Sequence, residues 1–395
     1  MTKNNRQICR PALRLLLAAS FILPLAHAQQ EPQNPGLPRT IAWSAYPTGT
    51  AGYSQAVAIG SALRREYGVN LRIIPGRNDV SRLATLLAGR VHFSAGGSEA
   101  VYAQEGVLNF ATRTWGPQPL RALLSNYSDS CSFTFGVAAD AGINTVADIK
   151  GKRVTWVQGA PSLNNTTTGL LAYAELTWED VTRVEVGGYN ASIEAIANGR
   201  ADVAGGACNS PPFLRVETSP RGLKFITFPH ADLEGIKRIR DLLPWYVPHV
   251  ATEGPTIPTT GIEVLTSAYP LLVGMPHTDD ALVYNLVKVM HERFDDYKLA
   301  APGANGWLMA GQKFESAFIP YHPAAVRYFK EIGVWSEAAE KTQQANLYRQ
   351  QVLQEAWIDY RNTAPDDPQL FETGWHNARE QALASKGLLT LASNI

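Results

Sequence analysis

LATLLAGRVHF (Leu83–Phe93) and IEAIANGRADV (Ile193–Val203) follow one plan: a short amphipathic helix, a Gly-Arg stop and an apolar strand. Each closes a longer run of the same kind. Ahead of the first, Thr40–Trp43 reads as a strand, followed by a helical pattern with Val57, Leu63 and Tyr67 inward and Gly68 as its stop. Leu71–Ile74 is a second strand, Asp79–Ala88 a helix striped by Leu83, Leu86 and Leu87, and Val91–Phe93 a third strand. Ahead of the second, Arg153–Val157 reads as a strand, Gly159–Thr168 as a polar turn, Gly169–Ala174 as helix and Val184–Val186 as strand. Ala191–Ala197 is then a helix stopped by Asn198-Gly199, and Asp202–Ala204 a strand. Strands and helices in alternation require crossovers and a parallel sheet. Two such runs give two α/β lobes of similar plan, spaced far beyond the roughly 20–50 residues of a solenoid repeat.

The chain opens on Lys3, Arg6, Arg10 and Arg14, then an apolar run from Leu15 to Leu25, then Ala26-His27-Ala28. This is the form of a secretory signal peptide cut after Ala28. The run is much shorter than the roughly 20 residues that span a bilayer. The mature chain is therefore expected in the periplasm. Lys+Arg and Asp+Glu both number 35, so no bulk field draws nucleic acid or a membrane surface, while 45% hydrophobic residues can fill a sizeable core. After cleavage Cys131 and Cys208 remain. Two buried thiols or one disulfide both fit, the thiols being the simpler reading. Pro244–Pro258 looks irregular, and Gly261–Thr266 and Tyr269–Val273 are β-prone. Thr278 caps a helix with Asp279 and Asp280 in its first turn. A long amphipathic helix runs from Ser336 to about Arg361, and a last helix spans Gly374–Ser385.

Gly96-Gly97-Ser98-Glu99-Ala100 approaches a nucleophile elbow but lacks its final glycine, and no histidine spacing completes a triad. A turn that holds a ligand with Gly97 amide and Ser98 hydroxyl is the better reading, because strand-to-helix turns are the binding edge of α/β sheets. Thr48-Gly49-Thr50-Ala51-Gly52 lacks the spacing of a nucleotide loop, yet its glycines let amides approach an anion at a helix start. Ser162, Asn164, Asn165, Thr166 and Thr167 are small donors of the same chemistry; ordinary capping is the alternative. Neither H-E-x-x-H nor C-x-x-C occurs, so no metal or other cofactor is expected. Tyr46 and Tyr189 sit beside these loops, where an aromatic is more often core than ligand shelf. Arg77 and Arg82 could each fork onto a carboxylate, though a solvated surface arginine is the simpler reading of either alone.

The stretch DIKGKRVTWVQGAPS…TWEDVTRVEVGGYNASIEAIANGRADV, within Asp148–Ala204, resembles the second-lobe segment of TAXI-type solute receptors of TRAP transporters. IPYHPAAVRYFKEIGVW (Ile319–Trp335) is similar to that family's H-P-G-A-x-R-Y close, and the turn before Tyr53 to its Thr/Gly-rich first loop. Two loops depart from the pattern: Gly159–Asn164 lacks a Gly-Ser-Gly core, and Ser44-Ala45-Tyr46 lacks a Gly-Gly pair. Because both should line the ligand, the resemblance leaves the solute's identity open. It implies an α/β type II periplasmic-binding fold, with two lobes around a central cleft and a helical C-terminal extension. Lobe 1 would comprise residues 40–135 and 260–335, lobe 2 residues 136–259 and the extension residues 336–395. The crossings would lie near Ser132–Val137 and Pro255–Glu263. It further implies a receptor, not an enzyme. That receptor captures a small organic anion, a carboxylate or amino acid, and hands it to a TRAP membrane permease; its oligomeric state is left open, a monomer being the default expectation. The candidate ligand residues are Ser44, Tyr46, Thr48, Gly49, Thr50, Gly97 and Ser98 from lobe 1. From lobe 2 they are Ser162, Asn164, Asn165, Thr166, Tyr189 and Asn209. The alternatives are a secreted hydrolase using Ser98, and a sensory protein that presents its ligand to a membrane receptor.

Overall fold

The computed structural model describes residues 1–2, 35–127 and 133–391, and the fold is that of the unit Asn34–Ile395. Beyond its first two residues the expected leader lies outside the described residues, as does Cys131; Cys208 is buried.

Lobe 1 begins with β1 (Thr40–Ala45), α1 (Ala51–Tyr67), β2 (Asn70–Pro75), α2 (Asp79–Leu87), β3 (Phe93–Gly96), α3 (Glu99–Glu105) and β4 (Arg121–Ser125). The chain then crosses to β5 (Phe133–Ala138), β6 (Arg153–Val157), α4 (Pro161–Ala172), β7 (Thr182–Val186), α5 (Tyr189–Ala197) and β8 (Val203–Ala207). Lobe 2 continues with α6 (Pro212–Glu217), β9 (Leu223–Phe225), α7 (Leu233–Leu242), β10 (Val247–Ala251) and β11 (Ile262–Thr266). The return supplies β12 (Leu271–Gly274), α8 (Asp280–Glu292), α9 (Phe294–Tyr297) and α10 (Pro323–Glu331), and the chain ends in α11 (Glu337–Thr363) and α12 (Pro368–Ser385).

The two sheets repeat one topology. In the first the order is β2-β1-β3-β12-β4, in the second β7-β6-β8-β5-β11-β10, with β9 also on β5. Each has a parallel trio (β2-β1-β3 and β7-β6-β8) followed by an antiparallel strand that has just arrived from the other lobe, β12 or β5. Beside that strand lies the one from which the chain departs, β4 or β11. The sheets are thus laced together by two exchanged strands, the architecture of a type II periplasmic-binding fold. Each lobe has its own apolar core: Trp43, Phe93, Leu123 and Val287 lie in the first, and Phe135, Val154, Leu170 and Ile239 in the largest cluster of the second.

Several local expectations shift. Val57 is exposed, on the solvent side of α1, while Leu63 is buried; Gly68 caps the helix at φ +66° as expected. The third strand starts at Phe93, not Val91, because small residues Ser94, Ala95 and Gly96 fit between β1 and β12. The polar turn Gly159–Thr168 is instead the start of α4: Pro161 presets its first turn, and Thr166, Thr167 and Thr168 donate to the carbonyls four residues back. Pro244–Pro258 contains strand β10, paired antiparallel to β11. The return to lobe 1 therefore falls at Ser267–Pro270, since Pro255–Glu263 leads into a lobe 2 strand. Asp279, not Thr278, caps α8; Thr278 Oγ1 accepts from Met275 N.

The C-terminal helices are bound to lobe 1 through one buried carboxylate. Glu105, at the end of α3, accepts two hydrogen bonds from Arg349 of α11 (2.6 and 2.8 Å) and two from Arg379 of α12 (3.1 and 3.2 Å). Trp375 Nε1 donates to Gly106 O at 2.7 Å, and Trp357, Phe371 and Trp375 form a small core with Ala111. Removing one partner of a buried charged set strands the others, at a cost of about 3–5 kcal/mol. Glu105→Ala should lower unfolding stability by that order in a urea titration; a loss below about 1 kcal/mol would show that the buried ion set does not hold the extension in place.

Candidate functional site

The site is built where α2 and α3 begin. Asn78 caps α2 through a reciprocal pair of bonds with Ser81, which places Asp79 in the first turn and Arg82 one turn on. Leu83 and Leu86 anchor the helix in the core, so Asp79 and Arg82 face the gap between lobes. Arg82 Nη2 donates to Asp79 Oδ1 and to Glu99 Oε1, both at 2.7 Å. Its guanidinium carbon lies 3.8 Å from the centroid of the Tyr46 ring. Glu99 Oε2 accepts from Gly97 N at 2.5 Å. Gly96 allows this: a Cβ there would stand 1.9 Å from Glu99 Oε1. The glycine pair that suggested a nucleophile elbow thus makes room for a carboxylate.

Lobe 2 meets this wall directly. Ser162 N, in the first turn of α4, donates to Asp79 Oδ2 at 2.7 Å. Asn78 Nδ2 donates to Gln158 O at 3.1 Å, Val80 N to Gly159 O at 3.4 Å, and Asn190 Nδ2 to Thr48 O at 3.2 Å. Between these contacts is a cleft lined from both lobes. Lobe 1 lines it with Tyr46, Arg77, Asp79, Arg82, Gly97 and Ser98, lobe 2 with Ser162, Thr166, Tyr189, Asn209 and Tyr246, and the crossing with Ser267 and Tyr269. Tyr46 and Tyr269 pack with ring centroids 5.0 Å apart. Burial pushes both phenols well above their ordinary pKa, so they stay neutral hydrogen-bonding groups. Burial, reinforced by Glu99 and opposed by Arg82, also pushes the Asp79 carboxyl up to about 6.

Of the residues chosen from sequence, Tyr46, Gly97, Ser98, Ser162, Thr166, Tyr189 and Asn209 are gathered on this cleft. The others lie apart from its lining. Ser44 Oγ is buried, donating to Arg82 O and accepting from Ser94 Oγ. Thr50 caps α1, Gly49 turns at φ +84°, and Thr48 contributes its carbonyl to the contact with Asn190. Asn164 folds back onto Val157 N and O, holding α4 to β6, and Asn165 is buried within α4. Arg82, read as a solvated arginine, is 1% exposed. Sequence reading passed over Asp79 and Glu99, because an acid in a helix's first turn looks like ordinary complement to the dipole. The one signal was the Gly96-Gly97 pair, one residue ahead of Glu99.

The description "NMT1-like family" belongs to the family model that matches residues 44–333, from the end of β1 to just past α10. The chain belongs to the NMT1-like family. In this NMT1-like protein α11 and α12 lie beyond the matched span. Solved structures to which it is similar include a protein of Bordetella bronchiseptica RB50, at 16% identity over 91% of this chain and 92% of that one, with TM-score 0.42. An ancestral arginine-binding protein bound to arginine matches at 13% identity over 69% and 99%, TM-score 0.42. The alkanesulfonate-binding protein of Xanthomonas axonopodis pv. citri, bound to MOPS, matches at 14% identity over 80% and 95%, TM-score 0.38. No helix among the described residues is long and apolar enough to cross a membrane.

Two predictions follow from the cleft's geometry. Gly159 has φ +69°, and a Cβ on it would lie 2.4 Å from Asn78 Nδ2 across the lobe contact. Gly159→Ala should lose about 1–2 kcal/mol to the left-handed backbone, read in a urea titration; wild-type stability would show that the turn relaxes freely. The second concerns pH. The Asp79 pKa of about 6 lies above the ordinary 3.8, so the fold favours its protonated form. That contribution is fully present below 3.8 and is lost as pH rises through 6. The stability of wild type minus that of Asp79→Asn should therefore fall between about pH 4 and 7, and a flat difference would mean that the carboxyl titrates as a free one.

Proposed function

We propose that this protein is an extracytoplasmic solute receptor that takes a small organic anion, a carboxylate or an amino acid, between its lobes and delivers it unaltered to a TRAP-type ion-coupled permease. The observation that carries the reading is the cleft itself: polar and tyrosine side chains from both lobes face one space, at the edge where the parallel strands end and helices begin. Such a cleft works by closure, since a solute that touches both lobes favours the arrangement in which both are within reach. The TAXI-like segments Asp148–Ala204 and Ile319–Trp335 support the permease partner, and the leader supports export.

Between the two ligand classes, an amino acid matches the cleft better than a plain carboxylate. Asp79 and Glu99 share one guanidinium, so the buried set has an acid to spare, and an ammonium offsets it. Ser98 is left with binding work: it lines the cleft at the start of α3, and among the described residues no histidine lines the cleft with it.

The test is thermal unfolding of the mature chain against matched pairs, alanine with propionate and glutamate with glutarate. A solute at 100 times its dissociation constant adds about 2.7 kcal/mol. The amino acid of a pair should shift the transition more than its deaminated partner, and Ser98→Ala should weaken the shift. Turnover of an ester or amide by the same protein, lost in Ser98→Ala, would replace this reading with the hydrolase.

A further inference from the structure

Helix α4 begins at Pro161 and points the positive end of its dipole at lobe 1. On a receptor reading, this is where a solute's carboxylate would be seated. The seat holds a carboxylate of the chain instead. Asp79, 3% exposed, accepts Ser162 N with Oδ2 at 2.7 Å and Arg82 Nη2 with Oδ1 at 2.7 Å. It therefore belongs to lobe 1 by its ion pair and to lobe 2 by its helix contact. The bonds from Asn78 to Gln158 and from Val80 to Gly159 flank it, so the residues on either side of Asp79 also reach lobe 2. A second observation sits on the same wall. Arg82 Nε is buried with no acceptor among the described residues, although Nη2 of the same group serves two carboxylates.

We propose that Asp79 is an internal counterpart of an anionic ligand group: it occupies the α4 seat, ties lobe 1 to lobe 2, and bars that seat to external anions. A solute's own carboxylate is then held elsewhere in the cleft. This rests on the receptor reading for its biological meaning, but its chemistry can be tested without knowing the solute.

The seat is opened by Asp79→Ala, which leaves Arg82 and Glu99 as a balanced pair. Acetate is the probe, compared with chloride at equal ionic strength. Two quantities are read: the radius of gyration by solution X-ray scattering, and the unfolding midpoint. In chloride the variant should be more expanded than wild type. Acetate should compact it again and raise its midpoint by about 2 °C or more, while wild type does not respond. Should Asp79→Ala not fold, Asp79→Ser carries the same expectations, and Asp79→Asn, which keeps an oxygen in the seat, should ignore acetate. A variant as compact as wild type in chloride overturns the proposal, as does an acetate response that is equal in both or absent from both. Failure of every solute to shift wild type would undo the receptor reading and leave these outcomes intact.

Discussion

One guanidinium organises the cleft. Arg82 is enclosed by Asp79, Glu99 and the face of Tyr46, and each contact arises from a different element: the start of α2, the start of α3 and the end of β1. Taking such charges out of water costs several kcal/mol apiece, so the set is tolerable only because each member is met. Asp79 has two partners on its two oxygens, and Glu99 likewise reaches Arg82 and Gly97 N. Arg82 also fixes the backbone, since its carbonyl accepts Ser44 Oγ from β1. The wall is therefore rigid for electrostatic reasons, and its outward oxygen, Asp79 Oδ2, sets where lobe 2 can rest.

The parallel trios were legible because their signals are local. Gly68 and the Gly-Arg stops ended helices wherever the apolar stripe ran out, and Arg153–Val157 fell on β6 to the residue. The pairing of the exchanged strands was not legible, although Tyr269–Val273 read as β-prone. β5 and β12 owe their place to antiparallel pairing across the chain's two crossings, and nothing in FTFGVA or LLVG names a partner. Strand β10 hid in a proline-rich stretch because its pairing with β11 leaves alternate residues outside the core.

The candidate site was half legible, and the reason is the same polar chemistry used twice. Ser, Thr and Asn before a helix pattern suggest donors for a ligand, but the backbone wants those donors too. Asn164 and Thr166 show both outcomes two residues apart: Asn164 is consumed by Val157, whereas Thr166, its proton given to Ser162 O, still meets the Tyr246 hydroxyl and faces the cleft. Aromatics were undervalued. Tyr46 and Tyr189 are buried, as core residues are, yet both line the cleft, because a space between two closed lobes hides its walls from solvent.

Helix α3 connects this wall to the rest of the molecule. All its residues from Glu99 to Glu105 are buried, over a length of about 10 Å. An acid at its first turn suits the dipole, but Glu105 at its last turn opposes it. That unfavourable end is offset by Arg349 and Arg379, which come from helices beyond the family-matched span. Gln104 beside it donates to Phe318 O and accepts from Gln350. The extension is thus the counter-charge that lets α3 lie fully buried with an acid at each end. The same short rod carries Glu99 at one end and the extension's anchor at the other, so α11 and α12 brace the element that positions Glu99 against Arg82.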